Sequence, residues 1–304
     1  MKSLSRKKFL LSGLSLVALH SLFAMKKETS LYLSFSTLGC PDWSFDKIID
    51  FAKDNHYTGI EVRGILHQMD LPLVPEFSTP EAIATTMKKM TDRGLKFVDM
   101  GSSCALHFPQ GAERTKNLDE GKRFIDLAEK LNCPYVRVFP NQLPKDRDRQ
   151  ESLNLIIDGL KELGTYTSKT NVTVLLESHG ELIYKKDLLA VMEGAADPHV
   201  GLVWDICNMW IATKEPPEEV YNVLKYYIRH THIKDLKIEN GKEEYVLLGT
   251  GIVPIFQAID LLYKSHYPGY YSFEWEKLWH PEILDPQIAL ADYPIAMNKH
   301  FNQA

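Results

Sequence analysis

Cysteine is scarce in this chain: four residues in 304, Cys40, Cys104, Cys133 and Cys207, with no C-x-x-C pair among them. That spacing excludes a thiolate zinc cluster and a dithiol redox motif. The four are expected as small buried thiols, although an exported chain would also be permitted a disulfide. Positive charge is short as well. The formal net charge is −5, and an acidic domain repels a phosphate backbone, so nucleic acid is not an expected partner. The apolar run from Phe9 to Phe23 stops short of the ~20 residues a membrane span needs, so no stable membrane anchor is expected. No glycine-rich nucleotide or dinucleotide loop follows the first strand-like segment. Nor is there a low-complexity stretch or long linker at which to cut a second domain.

The beginning of the chain has its own character. Lys2, Arg6, Lys7 and Lys8 precede the apolar run, and Ala24 follows it as a small residue suited to cleavage. That order reads as an export signal. The segment Ser5-Arg-Lys-Lys-Phe-Leu10 approaches the twin-arginine pattern, with lysine for the second arginine. Residues 1–24 are therefore expected to be removed, taking the formal net charge from −5 to −9, and residues 25–304 to form one periplasmic or secreted domain.

From about residue 31, strand-like and helix-like periods alternate. The strands read as Leu31–Thr37, Gly59–Arg63, Lys96–Gly101, Tyr135–Phe139, Val172–Glu177, Gly201–Asp205, His230–Lys234 and Tyr271–Glu274. Amphipathic stretches between them, such as Phe45–Ala52, Pro80–Thr91, Glu120–Leu131 and Leu153–Leu163, repeat apolar residues at three- and four-residue intervals. Asp92-Arg-Gly and Leu163-Gly read as helix ends. Eight strands alternating with helices predict an α/β fold, a (β/α)8 TIM barrel; an open doubly wound sheet is the second choice.

Chemistry in such a barrel belongs to the C-terminal ends of the strands. Four apolar runs stop there at an oxygen or nitrogen ligand: Glu177, Asp205, His232 and Glu274. Three carboxylates and one imidazole suit a single catalytic Mn, Mg, Co or Zn ion with open positions, not a closed structural zinc. The same end collects Arg63, His107, Arg137, His179, Asn208 and Lys234 as candidate substrate contacts. Arg63 and Arg137 are alternatively structural partners for carboxylates such as Glu61. Glu276 is expected one pleat further out.

The motifs Gly59-Ile-Glu-Val-Arg63, Leu176-Glu-Ser-His179, Trp204-Asp-Ile-Cys-Asn208, His230-Thr-His-Ile-Lys-Asp235, Leu248-Gly-Thr-Gly-Ile252 and Ser272-Phe-Glu-Trp-Glu276 occur in that order. With them, residues 31–280 resemble the xylose-isomerase-like barrel superfamily, which holds sugar isomerases, ketose epimerases, inosose dehydratases and endonuclease IV. The resemblance implies that Glu177, Asp205, His232 and Glu274 bind the metal and that Glu177 and Glu274 exchange a proton at carbon. Its motif register selects His232 over His230, which is expected on the other face of the strand. The chain departs from the pattern at Asn208, where several epimerases and the nuclease present histidine. It also lacks the Asp-x-His pair that would complete the nuclease's three-zinc site.

These readings predict a metal-dependent isomerase or epimerase of a small keto-sugar or polyol derivative, acting by proton abstraction beside a carbonyl. A keto-glycoside lyase or dehydratase is the alternative, and a non-catalytic sugar-binding barrel a further one. The Leu248-Gly-Thr-Gly251 turn is expected to serve a tight backbone entry to the last helix, not phosphate. A homo-oligomer is left open.

Overall fold

The computed structural model describes residues 31–303. The export signal expected over residues 1–24 lies outside them. Eight parallel strands close a barrel: β1 (Leu33–Ser36), β2 (Gly59–Val62), β3 (Lys96–Ala105), β4 (Tyr135–Phe139), β5 (Thr173–Glu177), β6 (Val200–Asp205), β7 (Ile228–Ile233) and, after a hairpin of β8 (Asp235–Glu239) and β9 (Lys242–Val246), β10 (Tyr271–Phe273). Around the ring the order is β1, β10, β7, β6, β5, β4, β3, β2, so neighbours in sequence are neighbours in space. The open sheet is thereby excluded.

The outer helices are α1 (Phe45–Asp54), α2 (Pro80–Asp92), α3 (Ala112–Lys130), α4 (Arg149–Thr167), α5 (Lys185–Ala195), α6 (Ile206–Thr213), α7 (Pro217–Leu224), α8 (Ile255–Lys264) and α9 (Pro286–Gln303). Their starts follow from local chemistry. The side chains of Ser44, Thr79, Asp148 and Asp205 each accept a hydrogen bond from a free N–H in the first turn of the helix that follows. Gly94, at φ +70°, lets the chain leave α2. Leu163-Gly is not a helix end, because α4 runs on to Thr167. A Cβ at Gly164 would lie 2.9 Å from the Asp197 side chain and 3.0 Å from that of Val200, so this glycine permits close packing of α4.

The barrel strands are buried on both faces, and aliphatic and aromatic side chains such as Phe35, Ile60, Val136, Leu176, Leu202 and Phe273 form one continuous core. The four cysteines are buried and unpaired, and burial pushes their thiols up in pKa. Among the described residues, no helix is long and apolar enough to cross a membrane.

Candidate metal centre and active site

Strand ends place the four candidate ligands. Cα register pairs Asp205 of β6 with His232 of β7, and His232 with Ser272 of β10. Glu177 is the last residue of β5, and Glu274 immediately follows β10. Their side chains converge: His232 Nδ1 lies 3.4 Å from Glu177 Oε1, 3.3 Å from Glu274 Oε2 and 3.9 Å from Asp205 Oδ2. One potential ligand atom from each of the four lies within 4.8 Å of the other three, and all four residues are buried.

The donor set fits a divalent cation. His232 Nδ1 is buried without a hydrogen-bond partner and faces the three carboxylates. Its Nε2 sits 3.2 Å from Glu61 Oε2, which also lies 2.8 Å from His230 Nε2 and accepts a hydrogen bond from the Ser272 hydroxyl at 3.0 Å. A carboxylate only accepts, so both imidazoles carry their proton on Nε2 toward Glu61. That leaves the Nδ1 lone pair of His232 for a metal, a carboxylate–histidine–metal relay. Three carboxylates around that nitrogen supply hard oxygen donors of the kind Mg, Mn and Zn accept.

Sequence reasoning misplaced two groups here. His230 is not on the other face of its strand: residues two apart on a strand point the same way, and both rings reach Glu61. Among the described residues Glu61 pairs with the two histidines and not with an arginine; the arginine–carboxylate pair offered as an alternative forms instead between Arg137 and Glu177. Burial opposes the charge on Glu61, but His232 and His230 outweigh burial and hold its carboxyl well below the usual range. A further buried carboxylate, Asp99, was not singled out. It pairs with Glu61 in Cα register, neither of its oxygens has a hydrogen-bond partner, and burial followed by repulsion from Glu61 pushes its pKa up to about 6.

Cations surround the site. Arg137 Nε stands 3.1 Å from Glu177 Oε2, its Nη1 donates to Ser102 O, and its guanidinium lies over the Phe139 ring. Lys234 is buried against Asp205 at 2.8 Å and Glu274 at 2.6 Å, and also contacts Glu276. Burial disfavours its charge, yet Asp205, Glu274 and Glu276 prevail and raise its pKa well above the usual value. Against burial, His232 and Arg137 lower the pKa of Glu177, and His232 and Lys234 lower that of Glu274. Among the described residues Arg63 forms no ion pair with a carboxylate; it donates to Gly101 O and Ser103 Oγ, and burial beside Arg137 lowers its pKa to about 9.

A hollow of about 250 Å³ opens above the cluster, and Arg63, Arg137, Glu177, His179, Asn208, Lys234 and Glu274 all line it. His107 does not. Its ring packs on Phe108, and burial, then Arg147, lower its pKa. Leu38, Phe139, Asn141, Glu276 and Trp279 complete the wall. Phe139 was legible only as a strand residue; its place under the Arg137 guanidinium depends on the fold.

The Leu248–Gly251 turn holds no free anion cradle. The Asp235 carboxylate fills it, accepting from the backbone N–H of Leu236, Gly249, Gly251 and Val253 at 2.9–3.2 Å.

A sequence model described as xylose isomerase-like TIM barrel matches residues 49–291. The chain is 24% identical over 226 residues to a 3-dehydroshikimate dehydratase of Bacillus anthracis, covering 71% of this chain and 78% of that protein. It is 26% identical over 186 residues to a 3-oxo-isoapionate decarboxylase of Pectobacterium atrosepticum, covering 59% and 62%. Among solved structures, the IOLI protein with a bound zinc atom superposes with a TM-score of 0.74 at 15% identity, over 90% of this chain and 99% of that one.

Proposed function

The chain belongs to the xylose isomerase-like TIM barrel family, and from that premise we propose that it is a divalent-metal-dependent isomerase or epimerase of a keto-sugar or polyol derivative. The observation that carries this reading is the convergence of Glu177, Asp205, His232 and Glu274 around an unpartnered His232 Nδ1. A cation bound there stabilises negative charge on substrate oxygens when a neighbouring C–H loses its proton. Glu177 and Glu274 both reach within 3.4 Å of His232 Nδ1 and have depressed pKa values, so both are ionised at neutral pH and can accept a proton. One carboxylate accounts for exchange at carbon, and two account for inversion. Arg63, Arg137, His179, Asn208 and Lys234 supply hydrogen-bonding groups to orient hydroxyls within the hollow.

Elimination is the second reading. The curated relatives at 24% and 26% identity are a dehydratase and a decarboxylase. The same proton removal can expel a group from the next carbon.

Turnover in heavy water tests both. Deuterium beside the carbonyl in isomerised product supports the epimerase, and a new double bond or a released group supports the lyase. Isomerised product without deuterium would contradict proton transfer through the glutamates. Tight sugar binding with no turnover would indicate a non-catalytic barrel. We also propose that residues 1–24 direct export; the native N-terminus, read by mass spectrometry, should begin after Ala24, and intact Met1 in a cytoplasmic fraction would contradict it.

A further inference from the structure

We propose that the hollow above the metal cluster is the inner end of a longer cleft, and that the substrate is a glycoside. Its reacting keto ring lies at Glu177 and Glu274, and a second ring runs outward past His179 toward Lys145 and Arg147. This deepens the proposed function and rests on it for the reacting ring alone.

Three hollows share walls in sequence. His179 and Asn208 line both the inner one, of about 250 Å³, and a second of about 270 Å³. Gly180, Ile183 and Ala212 line the second and also a third, of about 590 Å³. The inner hollow alone falls below the roughly 300–1,000 Å³ of small-molecule sites, whereas the second and third together give room for more than one further ring.

The path has a built floor. Gly180 adopts φ +61°, and a Cβ there would lie 2.8 Å from Asn141 O, so the loops after β4 and β5 touch where no side chain intervenes. The Glu181 carboxylate accepts from Leu143 N at 2.6 Å and ties the same two loops together. A short bridge between His179 and Leu182 holds the turn in shape. At the outer end, Lys145 is exposed and has no ion-pair partner among the described residues, and Arg147 uses one nitrogen on His107 O. These are donors for the oxygens of a second sugar ring, beside an apolar wall of Leu143, Pro144 and Ile183 on which a ring face can rest.

The test compares two probes on the metal-loaded protein: the keto derivative of a methyl glycoside, and that of a disaccharide bearing the same ring. The disaccharide should be favoured by about tenfold or more in kcat/KM, since contacts remote from the reacting carbon raise that ratio. Ala212→Trp, at an exposed position on α6, should bring the preference to about one by filling the second and third hollows. Equal turnover of the two probes by the wild type, or a preference unchanged in Ala212→Trp, would overturn the proposal. If neither probe reacts, calorimetric binding of the same pair decides. Tighter disaccharide binding that Ala212→Trp abolishes upholds the cleft while the reaction assigned above falls; equal or absent binding overturns the cleft.

Discussion

His232 offers a lone pair at Nδ1 only while its proton sits on Nε2, and Glu61 fixes that choice from beneath. Replacing Glu61 with Gln should therefore weaken metal binding about 10- to 100-fold without removing a ligand. Asp205→Asn and His232→Ala should lower metal occupancy outright, whereas Glu274→Gln should keep part of the metal and lose turnover. Elemental analysis beside an activity assay separates these outcomes. Normal metal content and activity in all four variants would mean the site is misplaced. Asp99 carries a different consequence. Its pKa is pushed up to about 6 in the fold, against about 3.9 in an unfolded chain. Between those values the folded protein binds more protons than the unfolded one, so stability falls as pH rises through that window, by about 1–3 kcal/mol in all. Asp99→Asn removes the penalty. In urea unfolding the variant should gain on the wild type at pH 8 and not at pH 4; identical pH profiles would contradict the assignment.

At the scale of elements, the turn after β9 is organised by one side chain. Asp235 accepts four backbone N–H groups, and burial raises its pKa in spite of them. Asp235→Ala should destabilise the protein by about 2–4 kcal/mol, because donors left without a partner away from water keep their desolvation cost. Chemical denaturation measures this, and a loss under 0.5 kcal/mol would show that water substitutes for the carboxylate. The barrel strands were legible because each is a short β-branched or aromatic run bounded by polar residues, and their predicted and observed limits differ mainly at the ends. The β8–β9 hairpin was not read. Its strands are short and largely exposed, so they carry no apolar run, and the one local signal was Asn240-Gly241, with φ values of +52° and +74°. Leu163-Gly misled for the opposite reason: a glycine required by tertiary packing resembles a helix terminus in sequence.

Across the whole molecule, the convergence of Glu177, Asp205, His232 and Glu274 was legible because a closed barrel brings the ends of β5, β6, β7 and β10 to one rim, and each end carries a polar residue. What lay beneath that rim was not. The Glu61, His230 and Asp99 layer depends on which inward side chains meet across the barrel, and strand order alone does not fix those contacts. His107 likewise shares a strand-end position with true lining residues and still turns aside onto Phe108. The most direct test of the account is anomalous diffraction from crystals grown with Mn or Zn. A single peak per chain is predicted, at roughly 2.0–2.3 Å from His232 Nδ1 and from oxygens of Glu177, Asp205 and Glu274. No peak under saturating metal, or one between Glu61 and His230 instead, would contradict the metal centre on which the proposed chemistry depends.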